Sequence, residues 1–158
     1  MICKSVLIGL TVLFATTTAQ VRADNGDDKV VRGGGTSILT GGTGVPSFIP
    51  VLTKFAFHWR DGEGKFECLA LASSAAAGTQ GSGNFDTNAM YVTGKVTSTE
   101  IHGPHAIMKG TATVTGLGAG TNVPFTATAE RGGPGTRLVL TISGLSFDEI
   151  VIDGMIKF

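Results

Sequence analysis

The chain has 158 residues, of which 24 are glycine and only 15% are charged, and its formal net charge is zero. This length accommodates one domain with a real hydrophobic core, but hardly two. Sparse and balanced charge excludes the overall basic character of a general nucleic-acid binder, so we expect no nucleic-acid partner. An apolar content of 42% also excludes a wholly disordered chain.

Residues 1–23 have the layout of a secretory signal peptide. Lys4 supplies a positive charge, residues 6–15 form an apolar run, and small and polar residues follow. As a helix, such a run covers about 15 Å, roughly half of the hydrocarbon core of a bilayer, which disfavours a membrane anchor. Small residues at the −3 and −1 positions favour cleavage before Asp24, with cleavage after Ala19 as the second choice. The sequence therefore predicts a secreted or periplasmic protein without a transmembrane helix.

Removal of the signal peptide would change both the charge and the cysteine content. Ten positive residues would remain against twelve negative ones, a net charge of about −2. Cys68 would be the only cysteine, which excludes an internal disulfide. Because Cys68 lies in an apolar strand pattern, we expect a buried and inert thiol.

Residues 24–50 are predicted to form a flexible leader. They begin with an acidic stretch and continue with glycine and proline residues, which interrupt regular structure. Two short apolar segments, Val30-Val31 and Ser37–Leu39, could add a short edge strand. The predicted β-domain then covers residues 51–158.

In this domain the hydrophobic pattern has a period of two, which is typical of half-buried strands. Residues 52–71 are predicted to form a hairpin that reverses at Asp61-Gly-Glu-Gly64. Further alternating segments follow between glycine-containing turns, Gly110 indicates a bulge or a close backbone approach, and residues 145–149 could form a short helix. The pattern predicts an all-β fold: a single small antiparallel β-barrel or sandwich of roughly seven to eight strands.

The strand and turn pattern also resembles a known family. The matching elements are Phe55-x-Phe57, Gly62-x-Gly64-x-Phe66, the Tyr91 strand, Ile101-x-Gly103-x-x-Ala106-x-x-x-Gly110 and Val123-x-Phe125. Over residues 52–158 the chain is similar to the post-COAP-1-type domains, which are exported bacterial β-domains. Such domains usually carry an Asp-x-Gly-x-x-Gly reversal, whereas this chain has Glu130-Arg-Gly-Gly-Pro-Gly135 without the aspartate. The resemblance implies a β-fold and export, and it implies no activity.

Three histidines are the candidate metal ligands. If Gly103-Pro104 is a two-residue loop, His102 and His105 face each other across a hairpin, with Cβ atoms about 4.5–5.5 Å apart. Two imidazoles at that spacing could share zinc or copper, but a durable site needs more ligands, and His58 is the only other histidine. An exposed polar hairpin tip is the simpler interpretation, so we predict no metal and no other cofactor.

Motifs for catalysis are not evident in the sequence. There is no Gly-x-Ser-x-Gly elbow, and the adjacent carboxylates Asp148 and Glu149 point to opposite faces of a strand. The glycines of Gly116-x-Gly118-x-Gly120 lead into another strand and therefore indicate a turn rather than a phosphate-binding loop. We therefore predict that the protein is not an enzyme.

The aromatic residues leave more than one function open. Phe55, Phe57, Trp59 and Phe125 could line a site for a small apolar ligand, although core packing is the commoner use of such a stripe. The main prediction is a non-enzymatic exported β-domain that acts as a binding or scaffold module for an extracytoplasmic partner. One alternative is a β-barrel carrier of a small apolar ligand. The other is a small outer-membrane β-barrel, whose last strand would present Ile150, Ile152 and Ile156 and end in Phe158.

Overall fold

The computed structural model describes residues 30–43, 51–73 and 87–158. Eight antiparallel strands account for most of them. In chain order they are β1 (Val30–Gly41), β2 (Val51–Arg60), β3 (Glu63–Ala72), β4 (Thr87–His102), β5 (His105–Gly116), β6 (Gly120–Glu130), β7 (Arg137–Ile142) and β8 (Leu145–Lys157). Each strand pairs with the next, and β1 also pairs with β8, so the sheet closes into a barrel. The all-β prediction is confirmed, and of its two architectures the barrel is the one formed.

Tight turns set the register of the hairpins. Asp61 and Gly62 join β2 to β3 with φ angles of 53° and 88°, as the type I′ turn that matches strand twist requires. The predicted hairpin over residues 52–71 is thereby confirmed. Gly103-Pro104 joins β4 to β5 as the predicted two-residue loop and places His102 opposite His105.

The first strand corrects the predicted flexible leader. Residues 30–41 of that segment form β1, which is hydrogen-bonded to β2 on one side and to β8 on the other. Its glycines are needed for close packing, because a Cβ on Gly33 would lie 2.4 Å from Cζ of Phe57. Ladder hydrogen bonds on both sides outweigh the low strand propensity of glycine. The barrel therefore includes β1, while residues 24–29 and 44–50 of the predicted leader, and the whole predicted signal peptide, lie outside the described residues.

The structure differs from the sequence prediction at residues 145–149 and agrees with it at Gly110. Residues 145–149 form the start of β8 instead of a short helix, because pairing with β7 carries Phe147 into the core. Gly110 makes the predicted close approach: a Cβ there would lie 1.9 Å from the carbonyl oxygen of Lys95. The register of β4 and β5 shifts beside it, between Val96 and Ser98.

The inner face of the barrel is an apolar core. Its phenylalanine rings form a continuous stack: Phe55 to Phe57 at 6.0 Å, Phe57 to Phe66 at 6.2 Å and Phe66 to Phe125 at 5.2 Å between centroids. All eight strands contribute apolar residues to this core. Along most strands these alternate with polar and charged side chains that face outward. Within the described ranges, no helix is long and apolar enough to cross a bilayer.

Candidate functional site

The aromatic candidates lie in or against the core. Phe55, Phe57 and Phe125 are buried, and half-buried Trp59 packs against the same cluster. Phe66, which is not one of the predicted ligand-lining residues, is fully buried between Phe57 and Phe125. In the sequence, the alternation of Phe66 with Cys68 along β3 indicates that Phe66 faces the interior. The four phenylalanine rings contact one another. This arrangement favours core packing over ligand lining as the role of the aromatic stripe.

The histidine pair forms the predicted exposed hairpin tip. His102 and His105 are directly opposed and both are exposed. His102 Nε2 lies 3.4 Å from a carboxylate oxygen of Glu100, whose other oxygen accepts a hydrogen bond of 3.0 Å from Lys109. The hydrogen bond from Lys109, together with that from His102, lowers the pKa of Glu100. His102 thus belongs to an exposed polar network.

The third histidine lies elsewhere. His58 is on the outer face of β2, directly opposite Lys65 of β3, which in turn lies opposite Lys95 of β4. Lys95 precedes His102 by seven residues, which is about 20 Å along a strand. The structure therefore does not bring the three histidines together. Among the described residues there is no group of three or more His, Cys, Asp or Glu side chains that could hold a metal ion.

A polar cluster that was not predicted from the sequence lies inside the barrel. The Glu149 carboxylate is 4% exposed, and the hydroxyl groups of Ser37 and Thr53 are fully buried beside it. Thr53 Oγ1 donates to one carboxylate oxygen at 2.8 Å, and Ser37 Oγ donates to the other. Asp148, the preceding residue, points outward to Arg137, as the alternation of a strand predicts. The available signal was the position of Glu149 between the inward-facing Phe147 and Val151.

Burial controls the electrostatics of this cluster. Desolvation raises the pKa of Glu149, whereas the hydrogen bonds from Ser37 and Thr53 oppose that rise. The carboxyl group can be satisfied in both protonation states. As a carboxylate it accepts from both hydroxyl groups; as an acid it can donate to Ser37 Oγ, whose own proton can turn to the Thr53 carbonyl oxygen at 3.4 Å. The cluster is therefore an internally satisfied network.

The Cys68 thiol is buried on the inner face of β3, as predicted. Its pKa is raised, first by desolvation and second by the negative charge of Glu149. Because the thiolate is the reactive form, iodoacetamide at pH 8 is expected to leave Cys68 unmodified in the folded barrel and to modify it fully in 6 M guanidinium. Peptide mass mapping measures the two yields, and rapid modification of the folded protein would contradict the buried assignment.

A row of basic side chains crosses the outer surface in strict register. Lys157 of β8 pairs with Arg32 of β1, which pairs with His58 of β2. His58 pairs with Lys65 of β3, and Lys65 pairs with Lys95 of β4. All five side chains are exposed. We call these five residues the basic row.

Two adjoining surface depressions follow the basic row. One lies over Arg32 and Lys157, the other over Lys65 and Lys95, and both are lined by His58 and Arg60. Arg60 forms an ion pair with Asp61, its Nε lying 3.2 Å from the carboxylate. The members of the row are far apart in the sequence, so only the strand register could reveal it.

No protein-family model, curated protein or solved structure matches the chain. The candidate sites are thus defined by the barrel itself: the buried Glu149 cluster on the inside and the basic row on the outside.

Proposed function

We propose that this chain is an exported, non-enzymatic β-barrel that acts as a binding or scaffold module through its outer surface. The observation that carries the proposal is the filling of the interior. Barrels that carry small molecules hold them in a central cavity, and here the stack of four phenylalanine rings lies along that space. The Glu149 carboxylate beside it is engaged by two hydroxyl groups.

A carrier for a small apolar ligand is the first alternative, and it would need room beside these rings. Phe66 contacts a ring on either side and is 0% exposed. Protein interiors packed in this way have few voids larger than a water molecule. The ring stack therefore favours a packed core over a ligand cavity.

An outer-membrane barrel is the second alternative. Such barrels present an apolar band to lipid and often enclose a polar interior. Here the apolar side chains face inward, while Lys54, Glu67, Lys95 and Lys109 are exposed on the outer face. This polarity favours a barrel that works in water.

The isoleucines of β8 also argue against the outer-membrane barrel. Ile150 and Ile152 are exposed, whereas Ile156 is fully buried, so the three isoleucines do not share one face. The register of β1 and β8 shifts beside Ile152, which places it and Asp153 outward in succession. A continuous lipid-facing stripe on β8 is thereby interrupted.

Complementation with interior variants tests the proposal. In a strain in which loss of the gene has a measurable phenotype, the Glu149→Gln and Cys68→Ala variants are expected to restore function fully when exported at normal levels. An enzyme that used either buried group for acid–base or nucleophilic chemistry would lose at least about a hundredfold in rate. Failure of a folded, exported variant to restore function would contradict the non-enzymatic assignment.

A further inference from the structure

We propose that the basic row binds a flexible, linear polyanion of the acidic-polysaccharide class. This inference rests on the proposed binding function and names the class of its partner.

The arrangement of charge is the first argument. Like charges directly opposite each other on neighbouring strands are destabilising. The row contains two such pairs, Lys157 with Arg32 and Lys65 with Lys95, and His58 lies between them. Elsewhere on the outer face, Arg137 pairs with Asp148 and Lys109 pairs with Glu100. A concentration of positive charge attracts anions, and the guanidinium of Arg32 can bind a carboxylate or sulfate group bidentately. The row is thus a surface suited to anions.

The shape of the row favours a flexible chain. Neighbouring strands lie about 4.8 Å apart, so the row extends for about 19 Å. It crosses five of the eight strands, and therefore curves around roughly half of the barrel. A flat membrane surface can touch only part of such a curve, whereas a linear polymer can follow it.

The neighbours of the row favour a polysaccharide over a nucleic acid. Proteins that bind single strands use aromatic side chains on which bases stack. The adjacent register positions on one side of the row are non-aromatic: Met155, Gly34, Ala56, Glu67 and Thr93. The nearby Phe158 ring is covered by the Arg131 guanidinium at 4.5 Å.

Two carboxylates also flank the row. Glu67 lines the same depression as Lys65 and Lys95, and Glu63 lies 3.9 Å from the Lys95 ammonium group. Carboxylates repel any anionic group but accept hydrogen bonds from sugar hydroxyl groups, so a chain bound here needs hydroxyl groups at these two positions. Interleaved cations and acceptors therefore suit a chain that carries both acid groups and hydroxyl groups.

Two matched double variants test the proposal on the full barrel. R32Q/K65Q removes two charges from the row, and K54Q/K109Q removes two charges from the outer face elsewhere, so both have the same net charge. The probe is polygalacturonate, a linear carboxylated polysaccharide, and its affinity is measured by calorimetry in 50 mM and 200 mM salt. We expect the row variant to bind about tenfold more weakly in 50 mM salt and the control to change less than about twofold. Binding by the unaltered chain should weaken as salt rises.

A second measurement establishes that the row variant is folded. Because it removes like-charge neighbours, R32Q/K65Q should unfold at a temperature equal to or about 2 °C above that of the unaltered protein. Weaker binding together with undiminished thermal stability supports the proposal. A lower unfolding temperature for R32Q/K65Q would contradict the premise that the like charges of the row destabilise the folded barrel.

Several results would overturn the assignment of the partner. These are no binding of polygalacturonate in 50 mM salt, equal losses in the two variants, or tighter binding to single-stranded DNA or to anionic phospholipid vesicles. The assignment would also be overturned if polygalacturonate bound only to a D24N/D27N/D28N variant and not to the unaltered chain. The basic row would then bind the acidic residues of the chain itself. The interior variants do not enter this experiment, so its failure is distinguishable from failure of the non-enzymatic assignment.

Discussion

The Phe66→Ala variant is expected to lose about 3–5 kcal/mol of unfolding free energy. Phe66 is fully buried and contacts Phe57 and Phe125 in the ring stack. Removing the ring forfeits its burial and leaves a cavity that a closed barrel can collapse only in part. Urea denaturation with the slope m compared between variants measures the loss.

The matched control is Tyr91→Ala on the outer face of β4. Tyr91 is half-buried and pairs with Leu69, so its truncation removes an aromatic ring without opening the interior. We expect a clearly smaller loss than for Phe66. The same pair separates the packed core from the carrier, because a ligand cavity beside Phe66 would tolerate its truncation. A loss below about 1 kcal/mol would be too small for a filled interior and would favour the apolar-ligand carrier.

The Glu149→Gln variant is expected to be more stable than the unaltered protein at pH 8 and to lose most of the pH dependence of stability above pH 4.5. Burial raises the pKa of Glu149 above its ordinary value of 4.5, so the folded state holds this proton more tightly than the unfolded state. The stabilisation is fully present below pH 4.5 and is lost as the pH rises through the folded-state pKa. A neutral amide keeps a carbonyl acceptor for Thr53 and a donor for Ser37, and the expected gain at pH 8 is on the order of 1 kcal/mol.

The matched control for this change is Glu67→Gln. Glu67 is exposed on the outer face of β3, so the same chemical substitution should leave the pH dependence of unfolding nearly as it is in the unaltered protein. Unfolding free energies from urea titrations between pH 4 and pH 8 provide the comparison. Superimposable curves for Glu149→Gln and the unaltered protein would mean that Glu149 does not lie in the barrel interior.

The parts of the fold that depend on neighbours in sequence were predictable. The alternation of Phe55 and Phe57 with Lys54 and His58 gives the faces of β2, and the turn after Arg60 gives its partner. For β1 the sequence predicted at most a short edge strand, because its glycines lower strand propensity, whereas its stability comes from pairing with both β2 and β8. That pairing joins the first and last strands and so closes the sheet, and no local sequence pattern indicates it.

The candidate sites depend on contacts between distant segments. Ser37 and Glu149 are 112 residues apart, so the sequence could assign Glu149 to a face of a strand but not supply its partners. Arg32 and Lys157 likewise become neighbours only when the barrel closes. The histidine hairpin was predicted correctly because its two members are separated by a single turn.

Both the buried cluster and the basic row require β1 to lie between β2 and β8, since Ser37 and Arg32 are both on that strand. Amide hydrogen exchange of residues 31–38 measures this closure directly. We expect these amides to exchange through the unfolding of the whole barrel, with protection matching that of the β2–β3 hairpin. Exchange at the rate of an unstructured peptide would show that the barrel is open at β1, and the interior and surface sites described above would then not exist.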